Sequence, residues 1–274
     1  MSNSELTPEM ESLKTKLRSV WIAGDFGRIA KSIEEGAAEF VERLNLQAGQ
    51  TVLDVACGTG NLALPAARFG ALVTGIDIAP NLVEQARANA EAENLQIQFD
   101  VGDAENMPYE DASFDAVITM FGAMFAPRPD VTAGELKRVC RSGGVIAMAN
   151  WTPSGFTGQM FKLGSKYLAP PANMPAPVLW GDEAAVRERL GNGIADLKMT
   201  ARKIMFNFPF SPPEVVEHFR KYFGPTNTVF AALDEKQQAA LRGDLEQIWT
   251  ENNQATDGTT AVESEYLEVI AVRG

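Results

Sequence analysis

Residues 51–61, TVLDVACGTGN, constrain this chain more than any other stretch. Val52, Leu53 and Val55 form a continuous apolar run too short for a helix, which predicts a fully buried strand of the parallel-sheet kind. Gly58 and Gly60 follow at once. Without a Cβ, the backbone there can take positive φ, and a ligand can approach closer than any side chain would permit. Residues 61–69 then predict a helix, with Leu62, Leu64, Ala66 and Ala67 on its apolar side and Gly70 as its stop signal.

A strand, a glycine turn and a helix are shared by several nucleotide-binding enzymes, and Gly58, Gly60 and Ala63 satisfy the dinucleotide pattern G-x-G-x-x-A. The acids around the turn discriminate. Asp54 lies inside the strand, where burying a charge is costly unless it is hydrogen-bonded to backbone amides or to a ligand. It would repel a pyrophosphate and accept a cationic group. Asp77 closes the next apolar run, 71–77, nineteen positions after Gly58, where a ribose-binding carboxylate belongs. Pro80 suits the first turn of the following helix, with Leu82, Val83 and Ala86 on its apolar face. A third strand, 97–101, leads into Gly102, Asp103 and Ala104, and this third carboxylate stands where an adenine amino group could be accepted.

Three acids at the ends of three successive strands make a specific pattern, and residues 46–151 resemble the core of class I S-adenosylmethionine (SAM) dependent methyltransferases, particularly the branch with quinone-biosynthesis C-methyltransferases and many small-molecule enzymes. The resemblance implies an α/β fold, a Rossmann-like seven-stranded, mostly parallel sheet flanked by helices, with a mainly helical cap over the site. It implies SAM as cofactor, S-adenosylhomocysteine as product and a small-molecule methyl acceptor. It maps the glycine motif onto Asp54, Ala56, Gly58 and Gly60, with Cys57 in the loop; the ribose acid onto Asp77, beside Ile78; and the adenine acid onto Asp103, beside Ala104. Residues 113–118 match the fourth strand, whose end, Thr119, Met120 and Phe121, looks like the floor under the methyl donor, and residues 135–150 match a helix, a two-glycine turn and the fifth strand. Ala56 departs from the glycine of many members but is small enough to be accommodated.

At 274 residues, one enlarged methyltransferase domain is expected: a core of about 46–151, closing strands at about 197–208 and 260–273, and a cap from 1–45, 152–196 and 209–259. The net charge of −12, from 36 acids against 24 bases, argues against a nucleic-acid substrate, because phosphate binding needs a basic stripe. Two cysteines, Cys57 and Cys140, give no disulfide framework, and one histidine without a cysteine cluster gives no zinc site. With no signal-peptide core and no apolar run long enough to cross a bilayer, a cytoplasmic location is the expectation; a homodimer is left open.

The flanking segments should decide the substrate. Met10, Leu13, Leu17, Val20 and Trp21, then Ile29, Ile33, Ala37, Phe40, Val41 and Leu44, recur at helical spacing, predicting two amphipathic helices. Trp21 and Phe26, in the glycine-broken connection, are either a lid over the cofactor or packing between helices and sheet. The proline-rich stretch with Met174, Leu179 and Trp180 is either part of a substrate cap or a dimer-contact loop. Residues 212–223 predict a helix ended by Gly224 and Pro225, and 234–250 another. His218 on the first is a candidate general base set against a structural role. Alignment and desolvation can carry methyl transfer without a base, in a cavity built from Met120, Phe121, Met124, Phe125, Phe156, Met160 and Trp180. The acceptor is then small and largely apolar, with an O, N or C nucleophile. Two alternatives are a SAM-binding protein that transfers no methyl group and a nicotinamide-dependent oxidoreductase built on Gly58, Gly60 and Ala63.

Overall fold

The apolar runs become the middle of a seven-stranded sheet. The computed structural model describes residues 6–171 and 174–274, so residues 1–5 and 172–173 of the expected cap lie outside the described residues. β1 (Thr51–Val55), β2 (Leu72–Asp77), β3 (Ile97–Val101), β4 (Phe114–Met120) and β5 (Cys140–Trp151) are parallel, and the sheet order is β3-β2-β1-β4-β5-β7-β6. β7 (Thr260–Arg273) inserts antiparallel between β5 and β6 (Ile194–Phe208). Val52 to Val55 are buried along β1, as a strand covered on both faces requires. Because the chain reverses its direction of travel across the sheet between β1 and β4, a crevice opens at their carboxyl ends.

The helices differ from the sequence reading where capping and packing override periodicity. α1 (Pro8–Ala23) runs through Trp21, so this residue sits in the last helical turn and not in the connection. The second amphipathic segment breaks into α2 (Phe26–Ala30), one 3-10 turn and α3 (Glu34–Arg43). α4 (Ala63–Arg68) starts two residues later than expected, because Asp54 Oδ2 accepts the Ala63 amide at 3.0 Å and fixes the first turn there. α5 (Pro80–Ala92) and α6 (Pro129–Val139) both begin at proline. α7 (Phe156–Tyr167) and α8 (Glu183–Leu190) follow β5.

α9 (Pro212–Tyr222) is fixed by a capping box of Ser211 and Glu214. Gly224 and Pro225, expected only to stop that helix, instead start α10 (Gly224–Ala232), since proline at the first helical positions forfeits only an amide that would be free anyway. α11 (Glu235–Asn252) carries its own capping box, Asp234 with Gln237. Phe156, Phe206, Phe208, Phe219 and Trp249 pack edge to face beneath these helices, with the Phe156 and Trp249 ring centroids 4.6 Å apart. Among the described residues no helix is long and apolar enough to cross a membrane.

Candidate active site

The crevice at the carboxyl ends of β1, β2 and β4 is a cavity whose wall brings together the three sequence-predicted acids. Asp54, Asp77 and Asp103 all line it, together with Ala56, Cys57, Gly58, Ile78, Ala104, Met120, Phe121, Trp21 and Phe26. Gly58 has φ +53°, the left-handed region the turn requires. Its amide donates to Asp77 Oδ2 at 2.8 Å, while the Ala79 amide donates to Oδ1 at 2.9 Å, so the Asp77 carboxylate is held by the backbone on both sides. Ala56 and Phe121 also take positive φ, +56° and +59°, and each holds a left-handed conformation that costs a non-glycine residue about 1–2 kcal/mol. Phe121 is held there by stacking on Trp151, centroids 3.5 Å apart, and by donating its amide to Ala149.

Two expected cofactor contacts lie elsewhere. Thr119 does not line the cavity: its buried hydroxyl accepts the Ala123 amide at 3.2 Å and shapes the turn after β4. Gly60, at φ +93°, donates to the Cys57 carbonyl and closes the turn behind Gly58 without reaching the wall. Of the proposed apolar set, Met120, Phe121 and Phe125 line the cavity, whereas Met124, Phe156, Met160 and Trp180 are buried in the core away from it. Trp180 lies beneath the Arg189 guanidinium, 4.7 Å from its centroid, in the 3-10 turn Pro177–Gly181 beside β5, so this end of the proline-rich segment does not roof the crevice.

His218 is outside the cavity as well. It packs among Phe208, Phe210 and Tyr222, and its Nε2 lies 3.4 Å from the Arg28 carbonyl oxygen. Partial burial pulls its pKa below the ordinary value. The surroundings are those of a structural imidazole.

Several wall residues were not assigned to the site by the sequence: Lys14 and Leu17 of α1, Ile33 and Ala37 from the chain between α2 and β1, Thr59, Asn61 and Gly122. Lys14 and Leu17 belong to the periodic face of the first helix, and a helical wheel shows that they share it with Trp21, but not what that face covers. Trp21 is at once a wall residue and the centre of an aromatic cluster, with ring centroids at 5.0 Å to Phe125, 5.9 Å to Phe26 and 6.1 Å to Phe223.

The electrostatics select among ligands. Three carboxylates and one ammonium, Lys14, are the ionisable side chains of the wall apart from the Cys57 thiol. Burial raises the Cys57 pKa well above its usual value, and Asp54 and Asp77 add to the effect, which keeps the thiol neutral. Burial likewise pushes the Asp54 carboxyl well above the ordinary range, reinforced by Asp77 and opposed by the Ala63 amide. Asp54 Oδ2 takes that amide, and the carboxyl lines the cavity with no ion pair to a cationic side chain among the described residues, so the cavity presents a buried carboxylate in want of a cation. A sulfonium amino acid attached to a neutral nucleoside meets that want; a dinucleotide pyrophosphate adds two charges of the wrong sign.

A raised carboxyl pKa in the folded state contributes stability that is fully present below its unfolded value and is lost as pH rises through the folded value. Asp54→Asn, which keeps an acceptor for Ala63, should therefore stabilise the ligand-free protein at neutral pH, with the difference closing as pH falls toward the ordinary carboxylate value of 3.8. Thermal unfolding of both proteins across that window reads it, and a gap that widens on acidification contradicts the assignment.

Comparison with known proteins agrees with this geometry. A family described as "Methyltransferase domain" matches residues 53–148. An uncharacterized protein of Mycobacterium tuberculosis is 35% identical over 266 residues, 96% of each chain. The demethylmenaquinone methyltransferase of Deinococcus radiodurans is 40% identical over 125 residues, 43% of this chain and 51% of that one. Among solved structures, a putative methyltransferase from Bacillus halodurans superposes with a TM-score of 0.58 at 20% identity, covering 86% of this chain and 97% of that one, a likeness of fold. With strand order, glycine turn and carboxylates in their places around a cavity that asks for a cation, the chain belongs to the class I SAM-dependent methyltransferases.

Proposed function

We propose that the acceptor is a small, largely apolar organic molecule, and that this chain methylates it by in-line displacement with alignment and water exclusion in place of a general base. One observation carries the reading: the acids lie at the β1, β2 and β3 ends of the cavity, and the wall also holds an apolar set, Trp21, Phe26, Phe121, Phe125, Ile33 and Ala37. SAM, when bound, supplies an electrophilic methyl on a sulfonium whose charge disperses during transfer.

In this reading Asp77 accepts the ribose hydroxyls, Asp103 accepts the adenine amino group and Asp54 receives the cationic amino group, directly or through water. Ala56, Gly58, Ile78, Ala104, Met120 and Phe121 form the surface against the nucleoside and the thioether. Trp21, Phe26 and Phe125 exclude water where the acceptor approaches, and their rigid rings hold it in line; such positioning is worth up to ~7–11 kcal/mol in ideal intramolecular reactions. The kinship with a demethylmenaquinone methyltransferase over the core supports an aromatic or quinol acceptor as the first class to try.

The test is formation of S-adenosylhomocysteine from SAM by the purified protein, followed by mass spectrometry, against a panel of phenols, hydroquinones, aryl thiols and hydrophobic amines. Acceptor-dependent product that falls at least tenfold in Trp21→Ala is the expected result. Turnover confined to charged, hydrophilic acceptors would overturn the apolar reading. Tight SAM binding without turnover on any of them would favour a protein that binds SAM for another purpose. His218→Ala should leave turnover within about twofold, since its ring lies outside the wall; a hundredfold loss with SAM affinity intact would restore it as a base.

A further inference from the structure

α1 lays three residues of one face along the cavity, Lys14, Leu17 and Trp21, spaced i, i+3 and i+7. At 1.5 Å per residue the outer two are about 10 Å apart along the axis, so one rigid helix covers both the acid end and the aromatic end. It is fastened at the acid end by charge. Lys14 is 8% exposed, and its Nζ lies 2.5 Å from Asp103 Oδ2 and 2.6 Å from Glu105 Oε2. Glu105 is fully buried; it also accepts the Arg128 amide and the Arg128 Nε, each at 2.6 Å. Asp103 Oδ1 accepts the Glu105 amide at 2.9 Å. The ammonium thus sits between two carboxylates that are two residues apart, and only one of them has a second cation.

We infer that Lys14 is a positioning residue for nucleoside recognition: from the N-terminal helix it holds Asp103 in the orientation that reads the base's exocyclic amino group. The inference rests on the SAM reading of the cavity. Glu105 is locked from three sides without Asp103, whereas the Asp103 side chain is 30% exposed and among the described residues has no cation but Lys14. Without the ammonium the two carboxylates repel, and Asp103, then held only by the Glu105 amide, turns toward water. Discrimination at the base then depends on a residue 89 positions upstream that lies outside the sheet core.

The experiment is calorimetric titration with S-adenosylhomocysteine and with S-inosylhomocysteine, which carries a carbonyl in place of the amino group. The wild-type protein should prefer the adenosyl ligand by at least about tenfold, the value of one charge-assisted hydrogen bond plus avoidance of a facing carbonyl. Lys14→Met should reduce the preference to within about threefold, Lys14→Arg should retain most of it, and Asp103→Asn should remove it with no further loss in the double variant. A Lys14→Met protein that binds both ligands more weakly by the same factor would show that Lys14 only stabilises α1, and the inference fails. Should Lys14→Met not fold, Lys14→Gln provides the same comparison. Wild-type protein that binds adenosyl and inosyl ligands equally overturns the inference while leaving the cofactor in place; wild-type protein that binds neither sinks the cofactor reading itself.

Discussion

Asp77→Ala is expected to weaken SAM and S-adenosylhomocysteine binding by at least about a hundredfold in calorimetric titration. Two losses combine. The first is a pair of charge-assisted hydrogen bonds to the ribose in the proposed binding mode, worth about 1.5–3 kcal/mol each. The second is the anchor of the turn, because Asp77 holds the Gly58 and Ala79 amides at 2.8 and 2.9 Å. Both amides lie in buried backbone, and a buried donor left unpaired costs about 1–3 kcal/mol. The mutant should therefore also melt earlier than wild type. Asp77→Asn separates the two effects: it retains one acceptor and restores part of the stability, but it cannot accept from both ribose hydroxyls and both amides. Unchanged affinity in Asp77→Ala would remove the ribose assignment, whatever happened to the melting temperature.

Gly224→Ala is expected to lower the melting temperature by roughly 2–12 °C and to weaken cofactor binding with it. A Cβ at residue 224 would collide with the carbonyl oxygen and carbonyl carbon of Val20, and backbone atoms in a packed helix cannot yield as a side-chain tip can. α1 and α10 cross there, so the collision must push the two helices apart. Overpacking of this kind costs typically 1–3 kcal/mol or more, and a domain of this size loses about 2–4 °C per kcal/mol. The effect reaches the site because the displaced helix carries Lys14, Leu17 and Trp21 into the cavity wall. Gly134→Ala is the control. It lies in α6, a Cβ there meets nothing within 4 Å, and alanine is the better helix former, so it should be neutral or stabilising by up to about 1 kcal/mol. Equal melting of the two variants would contradict the crossing geometry.

Much of the central sheet was legible because its information is local. β1 and β2 are short, mostly apolar runs and β3 an alternating one, and an acid or a glycine stands within three residues of the end of each. The same locality explains why Asp54, Asp77 and Asp103 could be assigned to one wall: parallel strands connected by helices bring their carboxyl ends to one edge of the sheet. Where the sequence reading failed, the missing information was nonlocal. Met124, Phe156, Met160 and Trp180 are as hydrophobic as Phe121 and Phe125, and only packing decides which of them face a void. Thr119 is the exception: it neighbours Met120 in β4, and alternation along the strand, a local rule, sends one to the core and the other to the wall.

By itself, then, the sequence determined the order of the core strands, the glycine turn after β1 and the carboxylates beside it, because glycine sterics, apolar run length and strand alternation act within a few residues. Tertiary structure alone decided that β7 enters between β5 and β6, that His218 lies outside the cavity, and that Lys14 reaches Glu105 across 91 residues of chain. An ion pair of that span leaves no periodicity in the sequence. It exists only because α1 is laid across the sheet edge by its contacts with α10, and charges buried by such docking become partners through position alone.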